Sequence, residues 1–373
     1  MNERKRFLLV MVTLIVVFSL VFSVALILLQ GSVGIRIWKE TGNWGSTEAT
    51  FSPDGKRMIL QTSREIRLYN VEEKSLVWTF EYKAQPYGVA YSRLEDYVVA
   101  VSSYELFLFK ANNPTPLWIA EISESNMKRG KLLDLSDDAS RIVVGRTGFT
   151  DYPPRLYIFS RNSRSPLVEF VAGGEVNSVS ISPNGELVAM GSEDGNVYLF
   201  RNDSTTPVMN YSTESIVTAV ELSSDGSILM AGTLHGNILF LDLSAPDPLS
   251  TYGYATVGGE VCDIRIARAT SLVFVASADN SIYVFDLNSP NVSKPVEKIS
   301  TMIANKLVKV TDNGKRFITT NLIGGGKAVQ WDMGSNIAVD VISWGRIESI
   351  DITPDGRYYL LSEVDKFAVF RSF

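Results

Sequence analysis

Short apolar runs recur along residues 33 to 373, separated by tight turns rich in Ser, Pro, Asp, Asn and Gly. In the clearest copy, a run ending at Ile181 is followed by a Ser-Pro-Asn-Gly turn at 182 to 185, a second run at Leu187 to Gly191 and a third at Gly195 to Phe200. Pro at the second turn position and Gly at the fourth suit a type I turn, and Asn tolerates the left-handed conformation. The pattern predicts a meander of short antiparallel strands.

This meander recurs eight times. The residues that align with Ser182 are Ser52, Ser92, Ser136, Ser182, Ser223, Ala267, Thr311 and Thr353. Their successive spacings are 40, 44, 46, 41, 44, 44 and 42 residues, and a period of about 40–45 residues is typical of four-stranded propeller blades. We therefore predict an all-β fold, an eight-bladed β-propeller. In each blade, strands a and b flank the turn, strand c carries an aromatic residue near its end, and strand d is the more polar outer strand.

The last blade lacks an outer strand of its own, because the chain ends at Phe373, directly after a predicted c strand at Phe367 to Phe370. The segment Ile35 to Glu40 has the pattern of a d strand and precedes the first a strand. We predict that this N-terminal strand completes the eighth blade. The ring then closes by pairing its two ends, with no exposed sheet edge at the seam.

An uncharged apolar segment precedes the repeats at residues 7 to 29. At 1.5 Å per residue it is long enough to cross a bilayer. Because no convincing small-x-small cleavage site follows it, we interpret it as a retained anchor and not as a signal peptide. The predicted organisation is a basic segment at 1–6, a transmembrane helix at 7–29, a linker at 30–32 and the propeller at 33–373.

The charges around this segment predict its orientation. The basic residues 4 to 6 precede it, whereas Arg36 and Lys39 follow it, which favours a cytoplasmic N terminus and an extracytoplasmic propeller in a single-pass membrane protein. The linker is short, and a d strand starts at the propeller face formed by the a–b turns and c–d loops. That face is predicted to point towards the membrane, and the face formed by the d–a and b–c loops is predicted to point away.

Composition argues against several functions. The net charge of −6 does not fit a nucleic-acid partner. The single cysteine, Cys262, is predicted to be a small buried residue, and the single histidine, His235, to be a solvated loop residue. The Gly-rich stretch Ile323 to Lys327 lacks the spacing of a phosphate-binding loop and is interpreted as a b–c turn. The sequence therefore predicts no enzyme activity and no cofactor.

Five charged residues occupy equivalent positions near the ends of the a strands, which line the centre of a propeller. They are Asp134, Glu221, Arg265, Lys309 and Asp351. We predict ion pairs between neighbouring blades, one joining Glu221 to Arg265 and one joining Lys309 to Asp351. An ion site in the central channel is the alternative.

The repeat resembles the WD40 family. The likeness rests on the Ser-Pro-Asp-Gly turns at 52–55 and on residues Gly191 to Phe200, with the Trp-Asp signature present at Trp331-Asp332. With one histidine, the family's His-containing hydrogen-bond network is not possible in its usual form. Val71 to Trp78 and Pro116 to Trp118 look more like the quinoprotein-type repeat, which resembles non-enzymatic eight-bladed scaffolds. Both resemblances imply a fold more than a function.

A protein partner is predicted to bind the face that points away from the membrane, on blades 8, 1, 2 and 3, because aromatic and Arg residues are enriched at interface hot spots. The candidate residues are Trp44, Arg64, Tyr87, Tyr104, Met127, Arg129, Tyr152, Arg155, Trp344 and Arg346. The alternative is that these side chains pack back onto their own blades. The predicted function is a non-catalytic, membrane-anchored interaction scaffold or accessory subunit of a membrane complex. The alternative function is a ligand- or ion-sensing propeller that uses its central channel.

Overall fold

The computed structural model describes residues 35–122, 131–148, 152–201, 203–245, 251–301, 303–321, 326–334, 337–343 and 345–372, with the backbone alone at 251 and 337–343. Within these ranges the chain forms 32 strands and no helix. The strands make eight four-stranded antiparallel sheets, which confirms the all-β eight-bladed propeller.

The strands of each blade follow one another along the chain in the order a, b, c, d. Blades 1 and 2 contain β2 (Thr47–Phe51), β3 (Arg57–Thr62), β4 (Glu65–Asn70), β5 (Ser75–Glu81), β6 (Pro86–Tyr91), β7 (Tyr97–Ser102), β8 (Glu105–Lys110) and β9 (Trp118–Glu121). Blades 3 and 4 contain β10 (Leu133–Leu135), β11 (Arg141–Arg146), β12 (Arg155–Ser160), β13 (Pro166–Val171), β14 (Val176–Ile181), β15 (Leu187–Ser192), β16 (Asn196–Arg201) and β17 (Met209–Ser212).

The second half of the ring repeats this order. Blades 5 and 6 contain β18 (Val217–Leu222), β19 (Ile228–Thr233), β20 (Asn237–Asp242), β21 (Thr251–Thr256), β22 (Val261–Ile266), β23 (Leu272–Ser277), β24 (Ser281–Asp286) and β25 (Glu297–Ser300). Blade 7 contains β26 (Leu307–Val310), β27 (Arg316–Thr320), β28 (Lys327–Asp332) and β29 (Ile337–Ser343), and blade 8 contains β30 (Ile347–Ile352), β31 (Tyr358–Glu363), β32 (Lys366–Arg371) and β1 (Ile35–Thr41).

The seam of the ring lies inside blade 8, as predicted. Strand β1 pairs antiparallel with β32, from Ile35 opposite Arg371 to Thr41 opposite Lys366. The edge of Trp38 packs against Phe367, with ring centroids 4.9 Å apart. The first and last strands are therefore held together by a full sheet ladder and by aromatic packing.

A side-chain hydrogen bond explains the composition of the a–b turns. In blade 1 the Ser52 hydroxyl donates to Asp54 Oδ1 at 2.6 Å and accepts from the backbone N–H of Arg57 at 2.9 Å. The equivalent donor and acceptor pairs are Ser136 and Asp138, Ser182 and Asn184, Ser223 and Asp225, Thr311 and Asn313, and Thr353 and Asp355. Gly55 follows with a φ of 68°, a conformation that glycine adopts without strain.

Residues 1 to 34, and with them the predicted membrane-spanning segment at 7 to 29, lie outside the described residues. In the part of the chain that the structure does describe, there is no helix long and apolar enough to span a bilayer.

Candidate functional site: the central channel and the two faces

The a strands line a central channel. Each a strand packs against the a strand of the next blade, and β30 packs against β2, so the ring is closed. We call the end of the channel formed by the a–b turns and c–d loops the turn face, and the opposite end, formed by the d–a and b–c loops, the loop face. Two neighbouring cavities along the channel are lined by described residues. The turn-face chamber has a volume of about 290 Å³ and the loop-face chamber about 230 Å³.

Two ion pairs bridge the channel mouth at the turn face. Arg268 Nη1 lies 2.6 Å from Asp137 Oδ1, and Arg93 pairs with Asp312. Each pair joins blades that are not neighbours, blade 6 to blade 3 and blade 2 to blade 7. We call these four residues the turn-face clamp.

The clamp has twofold pseudosymmetry. All four residues occupy the second position of their a–b turns, where the eight blades carry in order Pro53, Arg93, Asp137, Pro183, Ser224, Arg268, Asp312 and Pro354. A rotation by four blades, half of the ring, relates Arg268 to Arg93 and Asp137 to Asp312, so it maps one ion pair onto the other. Backbone hydrogen bonds repeat the relation, because Asp137 N–H donates to Pro183 O at 2.9 Å and Asp312 N–H donates to Pro354 O at 3.1 Å. The aligned turns show charged residues at a position where other blades have proline. The sequence did not predict which of these charged residues pair in space.

A chain of alternating charges lies in the middle of the channel. Lys131 Nζ is 2.8 Å from Asp134 Oδ2 and 2.7 Å from Glu221 Oε2. Arg265 Nη1 lies 3.6 Å from the same Glu221 oxygen, and Arg265 Nη2 lies 3.3 Å from Asp263 Oδ1. The predicted Glu221–Arg265 pair is therefore confirmed. Lys131 and Asp263, which the analysis of equivalent positions missed, extend it into a network.

The second predicted ion pair is wrong. Asp351 accepts hydrogen bonds from the Thr50 hydroxyl at 2.7 Å and from the Phe51 N–H at 2.9 Å, both in the neighbouring blade. Lys309 makes no ion pair with it, and among the described residues the structure gives the Lys309 ammonium no hydrogen-bond partner. The short Asp351 side chain is satisfied locally, so Lys309 is left as a cation in the channel wall.

The surroundings of Lys309 disfavour its charge. Burial lowers the pKa of its ammonium, and the positive charge of Arg265 lowers it further. The carboxylates of Asp351 and Asp263 oppose this shift, and Lys131 adds to it. An anion in the channel would relieve the repulsion.

The two chambers differ in charge. The turn-face chamber is lined by five cations and five carboxylates, namely Arg93, Lys131, Arg265, Arg268, Lys309, Asp134, Asp137, Glu221, Asp312 and Asp351. The loop-face chamber is lined by four cations and two carboxylates, namely Lys131, Arg265, Lys309, Arg346, Glu48 and Glu348. Lys131, Arg265 and Lys309 line both chambers and thus mark the boundary between them. Three of the four loop-face cations are in ion pairs, Lys131 and Arg265 with channel carboxylates and Arg346 with Glu348. Lys309 is the one without an ion pair among the described residues.

Four of the predicted partner-binding residues are exposed on the loop face. Arg64 is exposed in the turn between β3 and β4, and Tyr104 is 48% exposed between β7 and β8. Tyr152 is 43% exposed before β12. Arg346 is exposed and its Nε lies 3.2 Å from Glu348 Oε1.

Three others are held by the blades, and three lie outside the described residues. Trp44 is buried, stacked on Phe367 at 6.0 Å, so its ring is not available on the surface. Tyr87 is half-buried below the guanidinium of Arg146. Arg155 Nη1 pairs with Glu169 Oε1 at 2.7 Å. The residues that the structure does not describe are Met127, Arg129 and Trp344.

An exposed apolar residue recurs on the outer rim, near the turn face. In six blades this apolar residue lies at an equivalent position at the start of the outer strand. The next residue of the chain pairs with the fourth residue of strand c. These residues are Val77, Leu117, Leu167, Val208, Tyr252 and Val296, between 36% and 56% exposed. We call them the apolar rim. In blade 8 the equivalent Ile37 is partly buried at the seam.

The single histidine and the single cysteine lie on different elements. His235 is exposed in the turn between β19 and β20. Cys262 lies in β22, and burial raises the pKa of its thiol to about 11, which keeps it protonated at neutral pH. Among the described residues, no group of three or more His, Cys, Asp or Glu side chains is placed to hold a metal ion.

Residues 179–258 match the family model described as the anaphase-promoting complex subunit 4 WD40 domain. The matched segment covers most of blades 4 and 5. Together with the eight-bladed ring it supports a WD40-like β-propeller, whereas the likeness to the quinoprotein-type repeat stays a prediction. A search of curated proteins found no match.

Proposed function

We propose that the chain is a membrane-anchored, non-catalytic β-propeller that acts as a protein-interaction scaffold or as an accessory subunit of a membrane complex. The observation that carries this proposal is the chemical difference between the two faces. The turn face is bridged by the clamp and surrounded by the apolar rim, whereas the loop face carries exposed aromatic and arginine side chains. A rigid ring that presents loops on one face is well suited to hold a partner. WD40-like propellers are typically non-catalytic scaffolds, which agrees with this role.

We propose further that the turn face lies against the bilayer, with the propeller outside the cytoplasm. The uncharged segment at 7 to 29 precedes β1 by only a few residues. Strand β1 begins at Ile35, which pairs with Arg371 at the end of β32 and is 55% exposed. This start lies at the turn face, at the same level as the apolar rim. The anchor would bring these exposed side chains to the lipid surface, where they lose contact with water.

Labels on the apolar rim are expected to contact lipid in the full-length chain. Single cysteines would be placed at Leu117 and Val208 on the rim, and at Tyr104 and Leu234 on the loop face, in a Cys262→Ser background. With fluorescent labels and lipid-attached quenchers, the rim labels should be quenched and the loop-face labels should not. A chain that washes off the membrane would refute the anchor. A retained chain with equal quenching at all four positions would refute only the orientation.

A double substitution on blades 1 and 2 is expected to release a protein partner. Arg64→Ala/Tyr104→Ala removes two exposed loop-face side chains of the types that dominate interface energetics. The matched control, Leu234→Ala/His235→Ala, removes one exposed apolar and one exposed polar side chain from the loop face of blade 5. The measurement is co-purification in mild detergent with mass spectrometry. A stoichiometric partner lost only from the first variant supports the scaffold role, and equal loss from both variants contradicts the assigned surface.

A second candidate function is the sensing of a small ligand by the central channel. The observation that favours it is the loop-face chamber, whose wall contains Lys309 with no ion-pair partner among the described residues.

A further inference from the structure

The wall between the two chambers contains polar groups that nothing in the described chain satisfies. Lys309 Nζ has no hydrogen-bond or ion-pair partner among the described residues. The Nε–H of Arg265 is buried and has no acceptor. Buried donors normally find partners, because an unsatisfied one costs free energy. The Nε–H of Arg265 is such a donor, and it belongs to the same wall as the partly buried Lys309, so a ligand atom in the cavity would complete its hydrogen bonding.

The charge of the cavity identifies the sign of that ligand. The carboxylates that neutralise Lys131 and Arg265 are Asp134, Glu221 and Asp263. None of these three carboxylates lies within ion-pair distance of Lys309, so Lys309 is the cation of this wall that has no paired carboxylate among the described residues. A cation at this place would be repelled by Lys309, so a metal ion does not fit. An anion fits, because it would place negative charge between Lys309 and Arg265.

The entry route and the volume of the loop-face chamber limit which anions can bind there. The turn-face clamp bridges one end of the channel, and Tyr87 and Arg346 line the loop-face chamber, so the route that we infer for a ligand passes through the loop face. The loop-face chamber of about 230 Å³ holds a small solvated ion, since one water needs only about 10–15 Å³ of such space. The donors are ammonium and guanidinium groups, which bind phosphate oxygens through charge-assisted hydrogen bonds.

We propose that Lys309, Arg265 and Lys131 form a binding site for a small phosphate-type oxyanion at the base of the loop-face chamber. Lys309 supplies the uncompensated charge, and Arg265 and Lys131 supply further donors while they remain tied to their carboxylates. The proposal makes the second candidate function specific and is independent of the scaffold role. Phosphate binding is measured on the isolated chain, and partner binding is measured by co-purification. Either result can be negative while the other is positive, so the two proposals are tested separately.

The test uses the purified full-length chain in detergent, with inorganic phosphate as the probe. Calorimetric titration and thermal unfolding would be measured in the millimolar range, against chloride at equal ionic strength. The wild type should bind phosphate and unfold at a higher temperature in its presence. Lys309→Met should weaken binding by about tenfold or more, the loss of one charge-assisted contact. Lys309→Arg, which keeps the charge, should retain most of it.

The control is Lys298→Met, which removes a lysine that pairs with Asp279 on the outside of blade 6, and it should bind phosphate as the wild type does. A second readout separates the proposed role from a structural one. In phosphate-free buffer Lys309→Met should be at least as stable as the wild type, because it removes an unpaired charge from the channel wall. If phosphate does not bind the wild type and raises its unfolding temperature no more than chloride does, the proposal is wrong. Unchanged phosphate binding by Lys309→Met would also overturn it.

Discussion

Phe367→Ala is expected to lower the free energy of unfolding by about 3–5 kcal/mol, the cost of removing a buried aromatic side chain without repacking. Phe367 is fully buried in β32, where its ring contacts Trp38 at 4.9 Å, Tyr69 at 5.4 Å and Trp44 at 6.0 Å. These rings come from β1, from blade 1 and from the connection between them. Loss of Phe367 therefore removes the common contact of the two chain ends. Denaturant unfolding of the full-length chain in detergent measures the effect.

The control for this prediction is Phe170→Ala. Phe170 lies in the outer strand β13, is only partly buried, and contacts Tyr198 and Phe200 at 5.3 and 5.1 Å. It should cost less, because part of its surface already faces water. Hydrogen exchange should also accelerate in β1 for Phe367→Ala and not for Phe170→Ala. Equal costs and unchanged exchange in β1 would contradict a seam that depends on the aromatic cluster.

Local chemistry explains why the ring could be predicted from the sequence. In six of the eight a–b turns, a hydroxyl and a carboxylate or amide side chain lie two residues apart, as in Ser52 and Asp54, so their hydrogen bond leaves a short motif that recurs from blade to blade. The closing strand was also predictable, because Ile35 to Glu40 repeats the d-strand pattern before the first a strand. The blade period and the pattern of apolar residues depend on residues that are close together in the chain, so a single sequence is enough to reveal them.

The channel was only partly predictable, because its contacts join residues far apart in sequence. Equivalent positions in neighbouring blades correctly indicated Glu221 and Arg265. The same rule failed for Asp351, whose short side chain is satisfied by Thr50 and Phe51 in blade 1. Arg93 and Asp312 belong to blades that are not neighbours, so no comparison of adjacent repeats pairs them. Trp44 was likewise predicted to lie on an exposed loop, but its ring packs against Phe367 at the seam.

Glu221→Ala is expected to lower the free energy of unfolding by about 3 kcal/mol, as for a buried ion pair that loses one partner. Glu221 separates two cations, with Lys131 at 2.7 Å and Arg265 at 3.6 Å, and its side chain is only 11% exposed. Without it the two cations face each other across the channel. In the double variant Glu221→Ala/Arg265→Ala one of these cations is absent, so the combined cost should fall below the sum of the single costs by about 1–3 kcal/mol.

The matched control is Glu169→Ala, which breaks an ion pair of the same length in a different environment. Glu169 lies 2.7 Å from Arg155, as Glu221 does from Lys131, but its side chain is 43% exposed. Solvent screens this pair, so its loss should cost less than about 1 kcal/mol. Denaturant unfolding of the four variants, including Arg265→Ala, gives the comparison. If Glu221→Ala costs no more than Glu169→Ala, or if the double variant is simply additive, the channel network does not hold the blades together and burial alone accounts for the ring.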